Sequence, residues 1–199
     1  MYKTKNLPII AIDIGGTIED SWNSKRLWFK ENGFDIGMYP KSRKDIVSCI
    51  GGDDALYEKM VLDIYSDERI INRELIDGFI ESINTIVHYF KIVTLSSRDK
   101  SKLNITIEWM KKKEIYNIID EIILIGDKKN KLEWCINNYV KYFIDDDIRH
   151  FEKLDKYYSI SRIHFCQCPD EYLKSNPNIY CAMNWKAIIK IIQKNSFLL

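Results

Sequence analysis

The sequence predicts an α/β fold, a Rossmann-like parallel sheet with a helical cap inserted after the first strand. Three observations predict it. Short apolar runs alternate with longer stretches of helical periodicity. The runs end in polar, chemistry-bearing residues rather than in hairpin turns, which suits strands joined by crossovers. The first two runs are separated by residues 18–77, which hold charged, aromatic and helical patterns but no strand run.

Taken in order, residues 7–14 form a continuous apolar run that leads into Asp13, Gly15, Gly16 and Thr17. Such a run reads as a strand buried on both faces, followed by a tight turn. Within the insertion, residues 55–65 give the clearest helix. Residues 75–90 carry apolar side chains at helical spacing and run into a second strand at 91–95. A helix is expected over 106–113, then a third strand over 121–125 ending at Gly126. Residues 131–140 read as a helix, and 142–144 as a fourth strand that stops at Asp145, Asp146 and Asp147. Helix is expected again over 148–156, a fifth strand over 161–165 and a terminal helix over 185–192. The expected division is a core of residues 1–17 and 78–199 around a cap of residues 18–77, in keeping with ordinary domain size.

Composition narrows the function classes. The chain has 199 residues, with 30 Lys and Arg against 29 Asp and Glu, for a net charge of +1. That balance gives no electrostatic footprint for a nucleic acid polymer or an anionic membrane. An apolar fraction of 46% excludes a disordered chain. No segment approaches the roughly 18 apolar residues of a membrane span. The first residues lack a secretory pattern and the five cysteines are odd in number, so a reduced cytoplasmic setting is expected. Oligomeric state leaves no trace in the sequence.

Ligands of open parallel sheets bind outside the carboxyl ends of the strands. At those ends stand Asp13 with Gly15, Gly16 and Thr17, then Ser96, Ser97 and Arg98, then Lys128, Lys129 and Lys131, then Asp145, Asp146 and Asp147. Crowded carboxylates repel unless a cation joins them. An oxygen-rich site with few protein ligands is the setting Mg²⁺ favours, with a phosphate completing its shell. A hydroxyl (Ser96 or Ser97), backbone N–H groups and a lysine are what a phosphoryl oxygen requires. The constellation reads as phosphoryl chemistry.

These same residues resemble the haloacid dehalogenase-like (HAD) superfamily of phosphohydrolases. Ile9-Ile10-Ala11-Ile12-Asp13-Ile14-Gly15-Gly16-Thr17 is similar to its first motif, a strand followed by Asp-x-Asp-Gly-Thr. Ile92-Val93-Thr94-Leu95-Ser96-Ser97-Arg98 is similar to the second, Lys131 to the third, and Tyr142-Phe143-Ile144-Asp145-Asp146 to the fourth. The layout resembles small 5′-nucleotidase-like members. The resemblance implies Asp13 as nucleophile, forming an aspartyl-phosphate. It implies Ser96 and Lys131 on the phosphoryl group, with Gly16, Thr17, Ser97 and Arg98 binding substrate. It also implies Mg²⁺ held by Asp13, the Gly15 carbonyl, Asp145 and Asp146. The expected function is a Mg-dependent phosphohydrolase acting on a small phosphorylated metabolite, a nucleotide being the favoured class.

One departure stands out. The family's second motif-one Asp, general acid and base for the leaving group, is here Gly15. General acid–base help is worth about 10²–10⁴-fold. Either the leaving group needs no proton, or Glu19, Asp20 or a cap side chain supplies it, or the domain is attenuated or silent and binds a phosphate ligand or a protein partner. A phosphonatase-like C–P hydrolase would need a cap lysine, for which Lys25, Lys30, Lys41, Lys44 and Lys59 are available.

Other patterns have plainer readings. Asp-Ile-Gly-Gly-Thr also fits the phosphate turn of sugar kinases, but no second Gly-rich turn follows. His164, Cys166 and Cys168 alternate along a strand, with Cys181 beyond. Cys-x-Cys is not a usual zinc knuckle, and strand cysteines are usually small buried hydrophobes. Trp22, Trp28, Tyr39 and Tyr57 suit a cap core better than a base-stacking platform. Lys111, Lys112 and Lys113 complement a helix C-terminus.

Overall fold

A computed structural model describes residues 7–39, 42–126, 130–151, 160–167 and 179–196. The sheet has six strands: β1 (Ile9–Ile12), β2 (Lys91–Ser96), β3 (Glu121–Leu124), β4 (Val140–Asp145), β5 (Ser161–Phe165) and β6 (Tyr180–Ala182). All pairings are parallel, in the order β3-β2-β1-β4-β5-β6. The chain leaves β1 toward β2 and β3, then returns to the other side of β1 as β4. That reversal opens a crevice at the carboxyl ends of β1, β2 and β4, the place where doubly wound sheets bind ligands.

The sheet is buried on both faces because its strands are apolar on both. Ile10, Ile12, Ile92, Tyr142 and Ile144 pack on one face, against α5 (Phe79–Asn84), α6 (Leu103–Lys112) and the terminal helix (Trp185–Ser196). Ala11, Leu95 and Phe143 face the other, against α7 (Lys131–Asn137), which supplies Leu132 and Cys135. Continuous Ile/Val/Phe runs, rather than apolar/polar alternation, are what such two-sided burial requires.

Between β1 and β2 lie α1 (Ser21–Glu31), α2 (Arg43–Cys49), α3 (Asp54–Ile64) and α4 (Asp67–Ile71). Each begins at a capping side chain: Asp20, Ser42, Asp53 and Ser66 accept a backbone N–H of the first turn. Such a cap is worth about 1 kcal/mol. Of these, α1, α2 and α3 hold a separate apolar cluster of Trp22, Trp28, Phe29, Ile46, Met60 and Ile64, whereas Ile70 of α4 joins the cluster packed on the sheet. The indole N–H groups of Trp22 and Trp28 donate to the Met38 carbonyl and to Asp63 Oδ2, at 2.8 and 2.7 Å. Those two tryptophans are thus core residues of the insertion, and Tyr57 packs beside them.

Three elements differ from expectation. The continuous helix over 75–90 is only Phe79–Asn84. Leu75 instead bridges to Glu19, and the Ile76 N–H donates to the Ile18 carbonyl at 2.8 Å. These bonds tie the returning chain to the loop after β1, and Gly78 at φ +79° then turns it into the helix. Helical spacing over 75–90 reflects successive turns that all bury apolar side chains. Over 148–156 the described part is one 3₁₀ turn, Ile148–His150; residues 152–159 lie outside the described residues. The edge strand β6 has only three residues, too few for a period to register. Among the described residues, no helix is long and apolar enough to cross a membrane.

Candidate active site

Strand β1 ends at Asp13, whose N–H donates to the Ile144 carbonyl at 2.9 Å, so the carboxylate leaves the sheet beside the end of β4. Asn130 caps α7 by accepting the N–H groups of Leu132 and Glu133, which fixes the helix start and with it Lys131. The Lys131 ammonium donates to Asp13 Oδ1 at 2.6 Å and to Asp145 Oδ2 at 2.9 Å. All three side chains are nearly inaccessible. Asp145 is held further by the Asp147 N–H and by His150 Nδ1, each at 2.9 Å. Lys128 and Lys129, the other lysines at this strand end, lie outside the described residues.

Asp146 points back over the loop after β1. A Cβ built on Gly16 would stand 2.1 Å from Asp146 Oδ2, so only a residue without a side chain leaves room. Gly16 also has φ +84°, a conformation that favours glycine for its own reasons. From behind, His164 Nε2 lies 3.0 Å from the Asp146 carbonyl oxygen. Among the described residues, the one group of acids, histidines and cysteines close enough to share a metal is Asp13, Asp145 and Asp146, with ligand atoms within 4.8 Å of one another. His164, Cys166 and Cys181 make no such group, and Cys168 lies outside the described residues.

Protonation follows from this crowding. Burial, with the charge of Asp145 added, raises the Asp13 carboxyl to about 6 against the pull of Lys131. Burial and the charges of Asp13 and Asp145 push Asp146 well above the carboxylate range. Burial would raise Asp145 too, but Lys131 and His150 outweigh it and hold it low. Lys131 stays charged, because the two carboxylates outweigh its desolvation. Two carboxylates that resist ionisation beside a third that is ionised make an all-oxygen donor set suited to a hard divalent cation.

From β2, Ser96 is buried and accepts the Arg98 N–H at 3.4 Å, which leaves its own hydroxyl proton to donate. Ser96, Ser97 and Arg98 line the same cavity of about 1000 Å³ as Asp13, Gly15, Lys131, Asp145 and Asp146. The insertion closes one side of it with Ser21, Lys25, Val61, Leu62, Tyr65 and Ser66. Gly16 and Thr17 are buried and are not among its lining residues; the Thr17 carbonyl accepts the Trp185 indole N–H at 2.9 Å. The buried Arg98 guanidinium pairs with Glu19 and lies 3.5 Å from Thr106 Oγ1.

Glu19 and Asp20, two sequence candidates for the missing proton source, are engaged elsewhere. Glu19 is fully buried and pairs with both Arg73 and Arg98. Burial alone would raise its carboxyl, but the two guanidiniums hold it below its ordinary value, so it stays ionised. Asp20 accepts the Asn23 N–H at 2.8 Å as the cap of α1. Tyr65, Arg73 and His150 carried no sequence signal. Tyr65 and Arg73 come to the site from the insertion through tertiary contact, and His150 from the 3₁₀ turn that follows β4.

The fold is that of HAD-superfamily hydrolases. A haloacid dehalogenase-like family hydrolase from Streptococcus pneumoniae matches at a TM-score of 0.63 and 15% identity, over 94% of this chain and 99% of that one. A HAD-superfamily hydrolase of subfamily IA, variant 1, from Geobacter sulfurreducens matches at 0.58 and 10%, over 94% and 96%. The magnesium-bound protein YfnB from Bacillus subtilis matches at 0.57 and 11%, over 94% and 99%. No family model matches the sequence, and no curated protein does.

Proposed function

We propose that this protein is a Mg²⁺-dependent phosphohydrolase acting on a small phosphorylated metabolite, with a nucleotide as the favoured class. The observation that carries the reading is Asp13 in the wall of a cavity, 2.6 Å from a buried lysine and clustered with two further carboxylates. Asp13 attacks phosphorus in line, forming an aspartyl-phosphate that water then cleaves. The Ser96 hydroxyl and the Lys131 ammonium hold phosphoryl oxygens and stabilise charge as it shifts. Ser97 and the Arg98 backbone lie beside them, with the buried Gly16–Thr17 turn behind the cavity wall.

The donor set fits a hard cation, with Asp13, the Gly15 carbonyl, Asp145 and Asp146 as the residues that would hold it. When bound, Mg²⁺ supplies positive charge to Asp13 and to the transferring phosphoryl group. Residues 18–77 serve as a cap over a core of residues 1–17 and 78–199. The cap's separate apolar cluster and its residues in the cavity wall support that division. The cavity volume suits a metabolite of nucleotide size.

A C–P hydrolase is the second reading. Of the cap lysines weighed from sequence, Lys25 lines the cavity, while Lys41 lies outside the described residues. Borohydride trapping of a carbonyl phosphonate on Lys25 would favour it.

Phosphate release from a panel of nucleoside and sugar monophosphates, acyl phosphates and anhydrides tests the main reading. Turnover that needs Mg²⁺ and disappears in Asp13→Asn is the expected result. No turnover on any substrate, with Mg²⁺ and phosphate still bound, would instead make this a silent ligand-binding domain.

A further inference from the structure

A monoester leaving group departs as an alkoxide and needs a proton, yet Gly15 offers no side chain to give one. The space beside it is not empty. A Cβ built on Gly15 would stand 3.7 Å from Glu19 Oε1 and 3.9 Å from the Tyr65 hydroxyl oxygen. Those two groups therefore border the volume that a carboxylate at position 15 would enter. Glu19 is locked between two arginines and holds no proton to give.

Tyr65 follows the last residue of α3 and lines the cavity with Asp13 and Ser96. Its hydroxyl makes no hydrogen bond among the described residues, so its proton is not committed. Its ring lies under the Arg73 guanidinium, 4.6 Å from the centroid, with Arg98 at 6.0 Å. Arg73 is itself fixed, since its guanidinium donates to the Ile64 carbonyl and pairs with Glu19, and its own carbonyl accepts the Trp109 indole N–H at 2.9 Å. The phenol is thus preorganised from the cap side by a residue anchored in the core.

We propose that Tyr65 is the acid–base residue of this site, taking the place of a carboxylate at position 15. This rests on the phosphohydrolase reading above. As the Asp13 Oδ–P bond forms and the ester P–O bond breaks, the Tyr65 O–H passes its proton to the departing oxygen. The phenolate, flanked by Arg73 and Arg98, then takes a proton from the water that attacks phosphorus. The Asp13–phosphoryl bond breaks, inorganic phosphate leaves, and Tyr65 is neutral again. The guanidiniums carry the compensating charge while the proton is away.

The test compares leaving groups. Wild type, Tyr65→Phe, Gly15→Asp/Tyr65→Phe and Asp13→Asn are assayed with Mg²⁺ on an alkyl phosphate monoester and on acetyl phosphate, whose carboxylate leaves without a proton. Tyr65→Phe is expected to lower kcat on the monoester by about 10²-fold or more. Its loss on acetyl phosphate is expected to be at least tenfold smaller, and KM is expected to hold on both. Gly15→Asp/Tyr65→Phe is expected to recover much of the monoester rate. An equal loss on both substrates, or no loss on the monoester, overturns the role of Tyr65. Asp13→Asn reports on the underlying reading: if it abolishes both activities while Tyr65→Phe shows no preference, that reading stands and the proton donor is another group. Wild type inert toward both substrates overturns both.

Discussion

Replacing Gly16 by alanine separates the backbone demand of the loop after β1 from its place beside the carboxylates proposed to hold Mg²⁺. The substitution does two things. It forces a non-glycine residue to φ +84°, which costs about 1–2 kcal/mol. It also drives a methyl group into the Asp146 carboxyl, with Oδ2 at 2.1 Å and the carboxyl carbon at 2.6 Å. The carboxylate must retreat by about 1 Å to reach van der Waals distance. Magnesium demands near-ideal octahedral geometry, so a shift of that size should take Asp146 out of the proposed Mg²⁺ site.

Gly33 provides the control, because it has φ +85° and a methyl group added there would meet nothing within 4 Å. Gly33→Ala therefore carries the backbone strain alone. Thermal melts with and without MgCl₂, together with calorimetric titration of Mg²⁺, read the two effects. Both variants should lose about 1–2 kcal/mol without metal, or roughly 2–8 °C for a chain of this length. Only Gly16→Ala should lose the Mg²⁺-induced rise in melting temperature, with affinity weakened about tenfold or more, equivalent to about 1.4 kcal/mol. Equal Mg²⁺ affinity in the two variants would refute the placement of the cation against Asp146.

Three further outcomes are expected. Glu19→Gln leaves Arg73 and Arg98 buried around a neutral amide and should cost about 3–5 kcal/mol. Because the Glu19 carboxyl is held below its ordinary value, its contribution is full above about pH 4.5 and is lost as pH falls through the folded value. The gap between wild type and Glu19→Gln in urea melts should accordingly close on strong acidification, and a gap that persists unchanged would contradict the pairing. Lys131→Met should lower kcat by about 10²–10³-fold through loss of the charge beside Asp13, measured as phosphate release at saturating Mg²⁺. Finally, Asp13 is raised to about 6 in the metal-free protein, so its protonation favours the folded state below the unfolded value near 3.8, and that benefit fades as pH rises through about 6. Protons and Mg²⁺ compete for the same oxygens, so the Mg²⁺-induced melting shift should shrink as pH falls from 8 to 5, and a pH-independent shift would count against Asp13 as ligand.

The strand-borne half of the site was legible because each residue follows an apolar run. Asp13, Ser96 and Asp145 with Asp146 end three parallel strands, and parallel strands in one sheet must present their carboxyl ends together. Lys131 was legible as the residue that opens a helix after the third strand. The proposed acid–base residue was not legible in the same way. Glu19 and Asp20 are acids near Asp13 in sequence, but one is consumed by two arginines and the other by a helix cap. Neither Arg73 nor Tyr65 has any pattern linking it to position 15.

Sequence by itself determined the α/β class and the polar residues that gather at the strand ends, the clustered Asp13, Asp145 and Asp146 among them, because these depend on local apolar runs and on what immediately follows them. Tertiary structure alone decided that residues 75–90 break at Gly78, that His150 backs Asp145, and that Tyr65 stands beside the open side of Gly15. The approach of Tyr65 to Gly15, about fifty residues away in the chain, depends on how the insertion folds back onto the core, a choice that no periodicity along the chain records.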